Sequence, residues 1–209
     1  MNYNKIKAVI FDCDGVMFDS REANAAYYNS ILKHFGKPPL NSDDLEVVHM
    51  STVEESIKHL FRGDDRLADV QKYRLNQADY SQFLRLMIME PYLIDVLKAL
   101  QKKHYRLAIA TNRTTTIHPI LNIFKLDRYF DLVVSSLDVD IPKPHPETAL
   151  KILYHFNLKP DEAVYVGDSI IDYEVTQKAN IFFVSYKNPQ LEADFHTDDL
   201  RALLTLLHC

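Results

Sequence analysis

Five short runs of almost unbroken apolar character constrain how this chain can fold: Lys7 to Phe11, Arg106 to Ala110, Leu132 to Ser135, Ala163 to Val166 and Ile181 to Ser185. Each has strand length and lacks the polar alternation of a half-solvated strand, so both faces are expected to be covered. Segments of helical period separate them, and parallel neighbours need such crossovers. The expected fold is α/β, a doubly wound, Rossmann-like parallel sheet.

The gap between the first and second run, Asp12 to Tyr105, is far longer than one crossover requires. It reads as helical: Glu22 to Phe35, about Asp43 to Met50, Val53 to Phe61, and Asp65 to Met89 with a break near Asn76. Ser42 before Asp43 and Asp44, and the capping-box pattern Ser51-Thr52-Val53-Glu54, mark starts. Pro91 is expected to open the helix Tyr92 to Lys103 that leads back to the sheet. The domains are therefore expected to be a core of residues 1–16 and 91–209 and a small helical insertion of residues 17–90. Only 4 glycines occur, of which Gly36 and Gly63 follow helix ends. Asn157, Asn180 and His104 stand where other helices need a left-handed terminal residue. Gly15 and Gly167 instead follow strands and adjoin aspartates, which predicts tight backbone geometry at both.

Charge excludes several functions. Lys plus Arg number 24 against 29 Asp plus Glu, a net −5, which leaves no basic excess for a nucleic-acid backbone. The apolar run Ala8 to Phe11 is too short for a signal-peptide core, and no stretch approaches a membrane span, so a cytoplasmic protein without membrane partners is expected. The two cysteines, Cys13 and Cys209, form no Cys-x-x-Cys pair, and the 9 histidines show no zinc spacing.

The chemistry lies at the strand ends. The first strand runs into Asp12-Cys13-Asp14-Gly15-Val16, and the fourth into Gly167-Asp168-Ser169 with Asp172 one helical turn on. In a doubly wound sheet these two strands become neighbours at the switch point, so Asp12, Asp14, Asp168 and Asp172 are expected to converge. Four carboxylates together must protonate in part or share a cation. All-oxygen ligands without His or Cys favour Mg²⁺. The second strand ends in Thr111-Asn112, a pair that serves equally as a helix cap or an anion contact. Before the helix Glu147 to Phe156, three prolines brace one lysine in Pro142-Lys143-Pro144-His145-Pro146. A braced lysine and a hydroxyl beside an acidic metal site are what a transferring phosphoryl group requires.

Asp12-Cys13-Asp14-Gly15-Val16, Thr111-Asn112, Lys143-Pro144-His145-Pro146-Glu147 and Gly167-Asp168-Ser169-Ile170-Ile171-Asp172 resemble, in order and spacing, the four motifs of the haloacid dehalogenase superfamily. The helical insertion resembles the cap of the branch containing phosphoglycolate phosphatases and beta-phosphoglucomutases. The tail Ala193-Asp194-Phe195 with Asp198 to Leu207 resembles that branch's final segment. This resemblance implies an Mg²⁺-dependent phosphatase acting on a small phosphorylated metabolite, as a monomer or homodimer, with the cap closing over the site. It implies Asp12 as nucleophile and Asp14 as acid and base. Mg²⁺ would be held by Asp12, the Asp14 carbonyl and Asp168, with Asp172 in direct or water-mediated support. Thr111 and the Asn112 backbone would hold phosphate oxygens, and Lys143 would offset charge on nucleophile and phosphoryl group.

Asp14 favours ester chemistry, because the dehalogenases and phosphonatases of the superfamily lack an aspartate there. Asn24 stands where the phosphomutases carry a histidine, which favours net hydrolysis over the alternative, a beta-phosphoglucomutase-like mutase. A non-catalytic receiver-like phospho-acceptor shares the acidic site, hydroxyl and lysine, but needs neither the insertion nor Asp14. Cys13, where the family has a bulky apolar residue, is expected to be an inert packed side chain. The cap loop reads His49-Met50-Ser51, so substrate identity does not transfer. Arg21, His49, Lys58, His59 and Arg62 are candidate substrate contacts that read equally as a solvated helical face. Tyr27, Tyr28, Phe35 and the stretch Leu84 to Met89 read as packing.

Overall fold

The computed structural model describes residues 3–51 and 53–209, without the side chains of Asn4, His49 and Met50. The chain divides into two compact units, Met1–Asp19 with Met89–Cys209, and Ser20–Ile88. The first unit is built on β1 (Ala8–Phe11), four aliphatic or aromatic residues buried on both faces. The chain then passes through the two-residue strand β2 (Phe18–Asp19) into the second unit.

That unit is helical. α1 (Arg21–His34), α2 (Ser42–Met50), α3 (Val53–Leu60) and α4 (Leu67–Asn76) precede a 3-10 segment over Tyr80–Leu86. Tyr27, Tyr28, Ile31, Ile57, Phe61 and Val70 form its core, with Phe35 packed against them. The cap of α2 is Asn41 rather than Ser42. The Asn41 side chain accepts the Asp44 N–H, and the Asp44 carboxylate accepts the Asn41 N–H, so Ser42 is already inside the helix. The box expected at Ser51-Thr52-Val53-Glu54 falls on Thr52, which lies outside the described residues. Beyond Asn76 the helix expected to reach Met89 gives way to the 3-10 segment and the strand β3 (Ile88–Met89). Asp79 supplies the reason, since its carboxylate accepts the Ser81 N–H at 2.8 Å and starts a separate turn.

After Glu90 the first unit resumes with α5 (Leu93–Lys102), β4 (Arg106–Ala110), α6 (Ile117–Ile123), β5 (Leu132–Val134) and α7 (Glu147–Phe156). It ends with β6 (Ala163–Gly167), α8 (Ile170–Ala179), β7 (Phe182–Tyr186), β8 (Phe195–Thr197) and α9 (Ala202–Leu206). Pro91 does not open α5: Tyr92, in the left-handed region at φ 62°, is its N-cap, and the helix starts at Leu93. The six strands are all parallel, in the order β5-β4-β1-β6-β7-β8. β8 extends the five expected strands at one edge. In register, Phe11 lies between Ile109 of β4 and Val166 of β6. Asp12, Thr111 and Asp168 therefore leave the sheet at one edge, where the strand order reverses. Ile10, Ala108, Tyr165 and Phe183 sit in the core on one sheet face, under Ile152 of α7 and Val175 of α8. Among the described residues no helix is long and apolar enough to cross a membrane.

Asn157, Asn180 and His104 all take positive φ, as their helix-end positions require. Gly15 and Gly63 have nearly the same left-handed backbone, φ 76° and 73°. A Cβ at Gly63 would meet open space, whereas one at Gly15 would fall on the Asp168 carboxylate. Gly63→Ala is expected to cost about 1–2 kcal/mol of backbone strain. Gly15→Ala adds a steric collision to the same strain and is expected to lose clearly more in urea unfolding. Equal losses would show that Asp168 yields freely.

Candidate active site

The edge where β1 and β6 end collects acidic groups because each strand runs straight into an aspartate. Carboxylate oxygens of Asp12, Asp168 and Asp172 all lie within 4.8 Å of one another. Asp172 is brought there by the first turn of α8, which Ser169 caps by accepting the Asp172 N–H. Gly167 allows the approach, since a Cβ there would overlap the Asp172 side chain.

Lys143 enters this cluster from the proline-braced loop, whose Lys143–Pro144 bond is cis. Its ammonium donates to Asp12 Oδ1 at 2.7 Å, Asp172 Oδ1 at 2.7 Å and Tyr165 Oη at 3.2 Å, which uses all three of its hydrogens. The side chains of Lys143, Asp12 and Asp172 are only 4%, 10% and 0% exposed, so this is a buried charge cluster. Two further residues hold the loop. The Asn112 amide is clamped on the Lys143 backbone, donating from Nδ2 to its carbonyl and accepting its N–H, both at 3.0 Å. Glu147 accepts the N–H groups of Asp140 and Ile141 at 2.9 and 3.0 Å.

The structure thus brings together Asp12, Asp168, Asp172 and Lys143, with Thr111 buried at the end of β4. Thr111 Oγ1 accepts the Arg113 N–H at 3.0 Å. The Asp14 carboxylate is not one of the three that converge; it is paired with Arg113, which donates from Nε and Nη2 to its two oxygens at 2.7 and 2.6 Å. Residues on the helical unit stand as follows. His59 Nε2 lies 2.9 Å from Asp44 Oδ1 and the Arg62 guanidinium lies against the His59 ring. Arg21 and Lys58 are exposed, and the His49 side chain is outside the described residues.

Two participants escape sequence reasoning. Tyr165 reads as a core residue of a buried strand, yet its hydroxyl accepts from Lys143 and donates to Asp172 Oδ1 at 3.0 Å. Arg113 carries no local signal beyond following Asn112, because its carboxylate partner is 99 residues away.

Burial and the neighbouring carboxylates Asp172 and Asp14, against the pull of Lys143, push Asp12 up from the usual 3.8 to about 7. Burial and the charges of Asp12 and Asp172 push Asp168 up to about 8. For Lys143 the desolvation that would strip its proton is outweighed by Asp12 and Asp172, which hold it firmly charged. Burial also pushes the Cys13 thiol up, consistent with an inert packed side chain. One ammonium facing three carboxylates leaves negative charge uncompensated, and the free donor set is oxygen only. Such a site suits a hard divalent cation. Asp172 is the least available ligand. Its Oδ1 already accepts Lys143 and Tyr165, and its Oδ2 accepts the Ser169 hydroxyl at 2.6 Å.

A family model described as haloacid dehalogenase-like hydrolase matches residues 9–186. The chain is 30% identical over 190 residues to a phosphoglycolate phosphatase of Nitrosospira multiformis, covering 87% of this chain and 84% of that protein. It is 27% identical to the pyrophosphatase PpaX of Bacillus cereus, with 97% of each covered. A crystal structure of a subfamily IA, variant 1 hydrolase of the same superfamily from Geobacter sulfurreducens superposes with a TM-score of 0.87 at 39% identity, covering 99% of this chain and 98% of that one.

The raised carboxyls carry a stability consequence of definite sign. Without a divalent cation these upward shifts predict that the folded protein keeps protons on Asp12 and Asp168 from about pH 4 to about pH 7 or 8, a range in which the unfolded chain has lost them. The folded state then binds more protons, so stability falls as pH rises, with a slope approaching about 1.4 kcal/mol per pH unit for each such carboxyl. Carboxyls held down by hydrogen bonds, such as Asp138 by Ser135, have finished titrating below this window. Thermal melts in chelator are expected to drop from pH 5 to pH 8, and added Mg²⁺ to raise the melting temperature more at pH 8 than at pH 5. A flat profile in chelator would mean that both groups are ionised in the folded, metal-free protein.

Proposed function

The chain belongs to the haloacid dehalogenase-like hydrolase family, and from that premise we propose that it is an Mg²⁺-dependent phosphatase cleaving a small-molecule phosphate monoester through an aspartyl-phosphate on Asp12. The observation that carries this reading is the Lys143 ammonium, 2.7 Å from Asp12 Oδ1 and buried at the sheet edge from which Thr111 and Asp168 also emerge. A nucleophile, a fixed positive charge and a hydroxyl are together there, as phosphoryl transfer demands. The relatives' names, phosphoglycolate phosphatase and pyrophosphatase, support a phosphoryl substrate.

In the first half-reaction an Asp12 oxygen attacks phosphorus while the bond to the ester oxygen breaks, and Asp14 gives its proton to the departing alkoxide. In the second, Asp14, now a carboxylate, takes a proton from water as the water oxygen attacks phosphorus. The Asp12–phosphorus bond breaks, and inorganic phosphate and the Asp12 carboxylate are released. Lys143 offsets charge on Asp12 and on the phosphoryl oxygens throughout. The Thr111 hydroxyl and the Asn112 backbone N–H hold those oxygens. Asp12, Asp168 and the Asp14 backbone carbonyl would hold Mg²⁺, which when bound supplies positive charge to the phosphoryl group. Asp172, with both oxygens already accepting hydrogen bonds, supports the site through Lys143. Asn24 speaks for hydrolysis rather than mutase action, because an amide carries no transferable proton and its oxygen already accepts the Tyr80 hydroxyl at 2.6 Å.

The test is phosphate release from a panel of monoesters. Turnover is expected to require Mg²⁺, to vanish in Asp12→Asn, and to fall about 10²-fold or more in Asp14→Asn on alkyl esters. Undiminished activity in Asp12→Asn removes the proposed nucleophile.

A further inference from the structure

The Asp14 carboxylate is 38% exposed and projects from a turn, a setting that by itself leaves its rotamer open. Arg113 removes that freedom. It donates two parallel hydrogen bonds, 2.7 Å from Nε to Oδ2 and 2.6 Å from Nη2 to Oδ1. This fork-on-carboxylate geometry fixes the plane as well as the position of the acid group, which a lysine ammonium cannot do.

Arg113 is itself anchored. Its side chain is only 10% exposed, and its Nη1 donates to Thr116 Oγ1 at 3.2 Å. Its N–H donates to Thr111 Oγ1 at 3.0 Å, and its carbonyl accepts both the N–H and the hydroxyl of Ser136 at 3.2 Å. A solvated surface pair would lack these restraints and contribute little. The same backbone turn that presents Thr111 and Asn112 thereby also aims Asp14.

From this geometry we infer that Arg113 is a positioning residue, whose guanidinium fork sets the Asp14 carboxylate where it can exchange a proton with the ester oxygen. The inference rests on the phosphatase reading above. It concerns one step: the proton moves from Asp14 to the leaving oxygen as the phosphorus–oxygen bond breaks, and the resulting carboxylate is received by the fork. Asp12 and the metal ligands act independently of it.

Two substrates separate this role from a general structural one. An alkyl phosphate needs a proton on its leaving oxygen, whereas 4-nitrophenyl phosphate releases an anion stable without one. The ratio kcat/KM, which reports events up to leaving-group release, is to be measured with both esters in Mg²⁺ for wild type, Arg113→Ala, Arg113→Lys, Asp14→Asn and the Arg113→Ala/Asp14→Asn double variant. Arg113→Ala is expected to lose about tenfold to a hundredfold on the alkyl ester and less than about threefold on the aryl ester. Arg113→Lys is expected not to restore the alkyl rate, and the double variant to be no slower than Asp14→Asn. Equal losses on both esters in variants that melt like wild type, no loss on either, full rescue by lysine, or additive losses in the double variant would each overturn the inference. Melting temperatures of the variants identify a folding defect, which would show as equal loss on both esters. Wild-type protein that releases phosphate from neither ester overturns the phosphatase reading itself, a result distinct from all of these.

Discussion

A buried ammonium between two buried carboxylates is the interaction on which the rest of this site depends. Removing charges from water is costly, and such a cluster persists only where attraction and hydrogen bonding compensate. Lys143 meets both conditions through Asp12, Asp172 and the Tyr165 hydroxyl. The compensation is nonetheless incomplete, because Asp168 adds a third carboxylate to one ammonium. That residual imbalance raises Asp12 and Asp168 together, and it is the charge that a hard cation would offset.

The fold serves this arrangement by delivering its parts from separate strand ends to one place. β1 and β6 are direct neighbours, so Asp12 and Asp168 meet without any long loop. The lysine loop has no such scaffold and is held from outside, by the Asn112 amide on one side and by Glu147 accepting backbone hydrogens on the other. The strand-end segment that carries Asn112 and the loop that carries Lys143 are thus tied directly to each other by hydrogen bonds of the chain itself.

The strands of the core were legible because runs such as Ala8 to Phe11 are apolar at every position, a signal that survives without context. β8 was not, since Phe195, His196 and Thr197 at the sheet edge are at most half-buried and carry no such run. The stretch after Asn76 misled for a related reason. Its apolar residues suit a helix, and only the local bonds of Asp79 decide against one. In the site, Asp12, Asp168 and Lys143 could be found from their position after strands and between prolines. Tyr165 could not, because a tyrosine in a buried strand looks the same whether its hydroxyl meets water, backbone or a charge. Arg113 is legible only once the chain is folded, as its partner comes from the other side of the insertion.

Where the helical insertion leaves and rejoins the core, the Glu90 N–H donates to the Met17 carbonyl at 2.9 Å. Glu90 is in turn held by the Tyr186 hydroxyl at 2.8 Å and by the Lys187 ammonium at 2.7 and 2.9 Å. With its neck stitched shut in this way, the inserted segment is to the core simply a closed loop. The entropy of closing a loop grows only with the logarithm of its length, about 0.6 kcal/mol for each doubling. Through this term, extra or missing residues between Ser20 and Ile88 therefore barely register in core stability, because the core meets the length of that segment only as a logarithm.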